Sequence, residues 1–407
     1  LFTGIIPMEY LMKRDLKLIN LVPITSLFLI FILYIFSVLE FKISLGEYVL
    51  IENLINYQGG FVRRGLLGDI IFKLNYYTGV NHIKIIICIY LSAYFLFIIL
   101  FYKILEKIWA INPYLFLFIS ISPSTLFFPL FDFNALFRKE IFFFIVFFYH
   151  LCIAQQTIQK KKSVNFYKKQ FLLIILPSLI ISLLIHEFQF FLIFFHIFIN
   201  LVILGYKDNK KFFLSYFILF LIFLFFLFPE SLGTIDKINY SLEKFLPGIS
   251  EKYTPVTILT GNINLQLGQT LGLFKNSNFS QLFQLLFIFI FSIPIYLLVF
   301  FILIKKNAFI DNYRKNLIIL LNVFSFFVLI FFIILSFDYG RLFYIFLIHM
   351  IGFYLVLPLE NYTIPKLTLI NKFKYLFLII SYFIFFYLPH AHIVGNTGSI
   401  FDKLNNG

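Results

Sequence analysis

Short groups of charged and histidine residues interrupt the long apolar runs of this 407-residue chain. A charge inside an apolar run, or flush with its end, is expensive, so such a residue is a functional candidate by default. The groups are the segment 59–69 with Arg63 and Arg64, Asp132-Phe133-Asn134, Arg138-Lys139-Glu140, His186-Glu187, Asp338-Tyr339-Gly340-Arg341 and His390-Ala391-His392.

The segment 59–69 places four glycines around Arg63 and Arg64. It is neither a Walker nor a dinucleotide-binding motif, because it has no Lys-Ser/Thr pair and no preceding strand. One interpretation is a turn whose arginines extend to the membrane interface. The other is a loop whose backbone amides and guanidinium groups hold an anion, since arginine binds phosphate through two parallel hydrogen bonds.

His186-Glu187 is the main polar break in a long apolar stretch. It is either a proton acceptor with its orienting group or the tip of a helical hairpin. Asp338 and Arg341 are three residues apart, so one helical turn brings them together, either as part of a site or as a mutually neutralising pair.

Arg138 and Lys139 are likewise either part of a functional site or members of a local ion pair with Asp132. Three histidines within apolar runs are expected to be satisfied groups at helix interfaces: His150, His196 and His349. His390-Ala391-His392 is too short for a metal site, and Cys88 and Cys152 are expected to be small apolar core residues. We therefore expect neither a metal nor a disulfide framework.

Composition assigns the chain to membrane proteins. It is 61% hydrophobic and 13% charged, with a mean hydropathy of +0.95, whereas soluble domains carry about 25% charged residues. Such a chain cannot cover its own surface in water. A soluble enzyme, a disordered tail, a fibrous protein and a nucleic-acid binder are therefore excluded.

Eleven apolar runs have about the length that a helix needs to cross a bilayer. They lie at roughly 18–39, 84–103, 113–130, 140–156, 170–186, 188–205, 212–228, 283–304, 317–337, 342–358 and 374–390. We predict one all-α polytopic integral membrane domain over residues 1–407. Its two larger loops are 40–84, where one or two interfacial helices are expected, and 229–282, which we expect to cap the same face.

The distribution of Lys and Arg predicts a cytoplasmic N-terminus and an outward C-terminus. On that assignment the cytoplasmic segments hold 20 basic and six acidic residues, whereas the outer segments hold 13 of each. The six polar groups at the edges of the apolar runs then all lie on the outer face, where positive charge is disfavoured. This favours a function for Arg63, Arg64 and Arg138, because an outward-facing active site would gather them.

This pattern resembles the bacterial surface-polysaccharide (O-antigen) polymerases of the Wzy type and, more broadly, the C-superfold membrane glycosyltransferases and O-antigen ligases. The residues that carry the resemblance are Gly60-Phe61-Val62-Arg63-Arg64-Gly65-Leu66, Phe137-Arg138-Lys139-Glu140 and Asp338-Tyr339-Gly340-Arg341. It implies a polyprenyl-diphosphate-linked sugar as donor and a sugar hydroxyl as acceptor, joined at the outer (periplasmic) face of the bacterial inner membrane. The C superfold also implies a base carboxylate early in the first outer loop, where Glu40, Glu47, Glu52 and Asp69 are available.

Within this interpretation the candidate catalytic residues are His186, Glu187 and Asp132. The candidate diphosphate- or sugar-binding residues are Arg63, Arg64, Arg138, Lys139, Asp338 and Arg341. Guanidinium groups would neutralise the leaving group, so no metal or cofactor is expected. The expected partners are a lipid-linked oligosaccharide, membrane lipids, and chain-length or flippase proteins, and not nucleic acid.

Two other classes stay open. A polytopic transporter or lipid-linked-sugar flippase would place its substrate path at the membrane midplane. A membrane O-acyltransferase, which would use a histidine paired with Asp or Asn, comes third.

Overall fold

The computed structural model describes residues 25, 27–36, 47–111, 116, 118–120, 125–126, 128–131, 136–209, 212–226, 228, 231–243, 312–335 and 339–356. All regular structure within these ranges is helical. The helices are α1 (Leu27–Phe36), α2 (Glu47–Leu54), α3 (Gly65–Thr78), α4 (His82–Ile111), α5 (Phe128–Phe131), α6 (Glu140–Ile158), α7 (Val164–Gln170), α8 (Leu176–Ile185), α9 (Ile193–Asn209), α10 (Phe213–Phe225), α11 (Leu232–Glu243), α12 (Asn312–Leu335) and α13 (Tyr339–Val356). A π-helical turn, Phe171–Ile175, joins α7 to α8, and a 3-10 segment, Glu187–Leu192, leads into α9.

Four helical stretches of the described chain are long and apolar enough to cross a membrane. They are His82–Glu106, Glu140–Ile158, Val164–Ile185 and Glu187–Gly205, and they match the predicted runs 84–103, 140–156, 170–186 and 188–205. Shorter apolar stretches occur in α1, α10, α12 and α13. The helical, apolar character of a membrane protein is therefore confirmed, whereas the count of eleven spans stays a prediction.

Two of the predicted runs, 283–304 and 374–390, lie outside the described residues, and 113–130 is described only in part. The observed helices also differ in length from the apolar runs. Helix α4 ends at Ile111, well beyond the run 84–103, because the helix continues past the charged residues Lys103, Glu106 and Lys107 that delimit the apolar stretch.

Helix α6 lies at the centre of the described bundle. It packs against α4 on one side and against α9 and α13 on others. Its apolar window is 72% buried inside the protein, whereas that of Val164–Ile185 is 33% buried. A helix that is apolar on all sides is suited to such a central position, because no face of it needs solvent.

Close backbone packing fixes the corner between α2 and α3. A Cβ atom at Gly68 would lie 1.9 Å from the Ile55 carbonyl oxygen, and one at Gly65 would lie 2.3 Å from the Tyr57 ring. The glycines of the segment 59–69 therefore allow α3 to approach the chain that follows α2.

The two predicted outer loops contact each other. The Asn56 side-chain amide donates to the Ser241 hydroxyl of α11 at 3.0 Å. A Cβ atom at Gly59 would lie 2.3 Å from the Thr234 carbonyl oxygen, also in α11. Helix α11 thus covers the end of α2, whereas residues 244–282 of the same predicted loop lie outside the described residues, so the cap stays a prediction.

Candidate functional site

Helix α2 is held rigidly where it carries Glu52. The neighbouring Asn53 amide donates to the carbonyl oxygens of Val49 and Phe137, both at 2.9 Å. Its own oxygen accepts from the Tyr90 hydroxyl at 2.7 Å. Because a satisfied buried amide fixes both elements that it joins, α2 is aligned with the segment that leads to Arg138.

Glu52 is the centre of a buried charge cluster. One carboxylate oxygen accepts from Arg138 Nη1, and the other lies 3.5 Å from Arg64 Nη1 and 3.8 Å from His186 Nε2. Burial alone would raise the pKa of Glu52, but the charges of Arg138, Arg64 and Lys139 outweigh it and hold that pKa well below its usual range. The carboxylate is therefore ionised at neutral pH.

Arg64 joins Glu52 to Glu187 through its guanidinium group. Arg64 Nε lies 2.9 and 2.8 Å from the two Glu187 oxygens, and Nη2 lies 2.5 Å from Oε1. Its backbone is left-handed, with φ 66° at the start of α3, and its carbonyl oxygen accepts from Lys139 Nζ at 3.1 Å. Burial lowers the pKa of Lys139 to about 8.

His186 stands between the two carboxylates. Helix α8 ends at Ile185 and His186 is extended, with φ −162°, so the pair His186-Glu187 does form the predicted tight turn. The Phe188 backbone N–H donates to His186 Nδ1 at 3.1 Å, which leaves the imidazole proton on Nε2. Burial, and next the charge of Arg64, hold the pKa of His186 well below its usual range, so the ring is neutral. Its only ring lone pair, at Nδ1, is already used by the Phe188 N–H.

A second ion pair lies beside the cluster. Arg341 Nε of α13 lies 3.4 Å from Glu140 Oε1 at the start of α6. Arg341 is thus paired with Glu140, and the alternative partner Asp338 lies outside the described residues, as does Asp132.

The structure therefore brings together most of the predicted residues from separate segments. Arg64, Arg138, Lys139, His186 and Glu187 meet around Glu52, and Arg63, next to Arg64, is 9% exposed.

Glu52 was not among the candidate site residues, although it was one of four carboxylates available in the first outer loop. Its sequence signal is a charge within the apolar segment 48–55, where it must be paired once buried.

The described part of this site is rich in guanidinium groups. Its basic residues are Arg63, Arg64, Arg138, Lys139 and Arg341, and its acidic residues are Glu52, Glu140 and Glu187. Several arginines gathered at the ends of apolar helices favour an anionic ligand, because a guanidinium group binds phosphate oxygens through two parallel hydrogen bonds.

Two of the three histidines within the apolar helices, His150 and His196, belong to a separate hydrogen-bond network. His150 Nδ1 contacts His196 Nδ1 at 2.9 Å, and His150 Nε2 contacts the Tyr167 hydroxyl at 2.7 Å. The Tyr167 hydroxyl donates to Asn200. These are hydrogen-bonded groups at helix interfaces, as the sequence predicts for His150.

Comparison with known proteins finds no matching family, no similar curated protein and no similar solved structure.

Proposed function

We propose that this chain is a membrane glycosyltransferase of the polysaccharide-polymerase type, which joins polyprenyl-diphosphate-linked sugar units. The observation that carries the proposal is the buried cluster around Glu52. Three cationic side chains and two carboxylates converge there from four separate segments of the chain. Such convergence at the ends of apolar helices is typical of a site that handles a charged group at a membrane interface.

The guanidinium groups of the site suit the donor's diphosphate. Diphosphate is a dianion when esterified at both ends, and the guanidinium fork of arginine matches the geometry of phosphate oxygens. Arg64 pairs with Glu187 and Arg138 pairs with Glu52, so a bound diphosphate would share these guanidinium groups with the carboxylates.

The transfer needs one bond to form and one to break. The acceptor hydroxyl oxygen bonds to the anomeric carbon of the donor sugar, and the bond from that carbon to the diphosphate oxygen breaks. Polyprenyl diphosphate leaves, stabilised by the guanidinium groups. The hydroxyl proton passes to a carboxylate, for which Glu52 and Glu187 are the candidates.

A carboxylate suits the base role better than His186 does. The His186 lone pair at Nδ1 already accepts from Phe188 N–H, whereas carboxylates keep further lone pairs when ion-paired. We assign His186 to orienting the two carboxylates. Carboxylate bases serve other glycosyl-transfer reactions with cationic transition states.

The proposal includes the topology. Eleven spans with the N-terminus inside, in the bacterial inner membrane, agree with the excess of basic residues in alternate loops. The site then faces outward, where it would receive lipid-linked oligosaccharide from a flippase and act with chain-length proteins.

The test replaces the two carboxylates in a strain that lacks the chromosomal gene. Glu52→Gln and Glu187→Gln are compared with wild type and with Glu243→Gln, an exposed glutamate of α11 that serves as control. We expect each site variant to reach the membrane, to lower polymer formation by about 100-fold or more, and to accumulate single lipid-linked units on the outer face. Normal polymer length in both variants would contradict the proposed function.

A second candidate, a lipid-linked-sugar flippase, is favoured by the buried chain of His196, His150, Tyr167 and Asn200. Polar chains between membrane helices mark transport paths in many carriers. The same strains separate the two functions. Units that accumulate where an impermeant lectin cannot reach them would indicate a flippase.

A further inference from the structure

Two buried polar atoms beside the charge cluster have no hydrogen-bond partner among the residues that the structure describes. They are Oε2 of Glu140, whose residue is 5% exposed, and the hydroxyl of Tyr344, which is 4% exposed. An unsatisfied buried polar atom costs roughly 1–3 kcal/mol, so two that lie together need an explanation.

Glu140 and Tyr344 both lie where α6 and α13 contact each other. Glu140 meets Arg341, and one turn further along both helices the Phe144 ring meets the Tyr344 ring edge-on, with centroids 5.2 Å apart. The two helices therefore run side by side in the same direction. Because side chains on a helix lean toward its N-terminus, the Tyr344 hydroxyl is directed back toward the level of Glu140.

Aromatic rings pack beside this pair. The Tyr344 ring stacks on Phe128 with centroids 4.3 Å apart, and Phe144 also packs against Phe97 at 5.4 Å. A carboxylate oxygen accepts a hydroxyl proton, a phenol both donates and accepts, and apolar rings cover C–H faces. A few placed polar groups among apolar walls are typical of sites for small ligands, and this combination suits a sugar.

We propose that Glu140 and Tyr344 form the subsite that binds the acceptor sugar, with Glu140 Oε2 accepting from one sugar hydroxyl and the Tyr344 hydroxyl bonding to a second. The inference rests on the proposed function. Glu140 directly follows Arg138 and Lys139, which contact Glu52 and the Arg64 carbonyl. The acceptor would therefore lie next to the donor's diphosphate.

The test measures sugar binding without a donor and without turnover. The full chain in lipid nanodiscs is mixed with the methyl glycosides of glucose, galactose and mannose, and binding is followed by saturation-transfer NMR. We expect at least one glycoside to bind, and Glu140→Gln and Tyr344→Phe each to weaken it about 10-fold or more. Tyr354→Phe is the control, because the Tyr354 hydroxyl lies deeper on the same helix and donates to Asn322.

Thermal unfolding separates the proposal from a structural role. If the Tyr344 hydroxyl awaits a ligand, Tyr344→Phe should keep or raise the midpoint and abolish stabilisation by the glycoside. A lower midpoint with an unchanged glycoside response would indicate a bridging water and overturn the proposal. Absence of glycoside binding to wild type would also overturn it, even where polymer assays support the transferase. If the wild type binds a glycoside but the Glu52 and Glu187 variants make normal polymer, the sugar subsite is retained and the transferase is rejected.

Discussion

Replacement of Arg64 by lysine tests the guanidinium fork while it keeps the charge. Arg64 contacts both oxygens of Glu187 and also approaches Glu52. A lysine ammonium is a single point and cannot occupy these positions at once. The left-handed backbone at residue 64 disfavours lysine no more than arginine, so the substitution isolates the side-chain geometry.

The expected loss follows from the contacts. Of the Arg64 contacts to Glu187 and Glu52, lysine would keep about one, and a hydrogen bond to a charged group contributes roughly 1.5–3 kcal/mol. The loss of one or two such bonds costs about 3 kcal/mol, which is roughly a 100-fold change in an equilibrium or rate constant. The side chain of Arg64 is 14% exposed, so solvent screening is small.

The assay compares Arg64→Lys with wild type for polymer formation in cells and for binding of farnesyl diphosphate in nanodiscs. Lys73→Arg is the matched control, because Lys73 is 62% exposed and pairs with Asp69 one turn away on the same helix. We expect both measurements to fall about 100-fold in Arg64→Lys and to stay unchanged in the control. Full polymer formation by Arg64→Lys would refute the role of the fork.

Two further predictions concern pH and topology. The pKa of Lys139 in the folded protein is about 8, below the ordinary 10.5. Its positive charge is therefore present at pH 7 and is lost as the pH rises through 8. Folding stability rises between pH 8 and pH 10.5, because the buried ammonium loses its charge in the folded protein first. Farnesyl diphosphate should therefore bind more weakly at pH 9 than at pH 7, and Lys139→Arg should remove this difference; equal wild-type binding at both pH values would contradict the assignment. In a variant without Cys88 and Cys152, an impermeant thiol reagent added to intact cells should label Tyr240→Cys, a 65% exposed position, and not Ser163→Cys; labelling at 163 would reverse the orientation.

It was predictable from sequence that the charged residues of the site lie close together, because the predicted topology places the helix ends that carry them on the same side of the membrane. The tight turn at His186-Glu187 was predictable too, since two apolar runs flank one polar pair.

The ion pairs themselves were not predictable. Arg138 pairs with Glu52 rather than with the nearby Asp132, which lies outside the described residues. This pairing depends on how closely α2 approaches the segment before α6, and Asn53 sets that distance through a side chain with no distinctive sequence signal. The glycines were expected to bring backbone toward a ligand, whereas Gly65 and Gly68 instead bring α3 against its own chain.

The central position of α6 has a consequence for biosynthesis. Glu52 precedes Arg138 in the chain, so this pair can form as soon as α6 emerges. Glu140 must wait for Arg341, which is synthesised 201 residues later; at about 5–20 residues per second this is roughly 10–40 s. During that interval α6, whose apolar window is the most buried of the four described candidate spans, lacks the arginine that pairs with Glu140 in α13, so translation that stalls between α6 and α13 should expose α6 to the membrane's quality-control proteases.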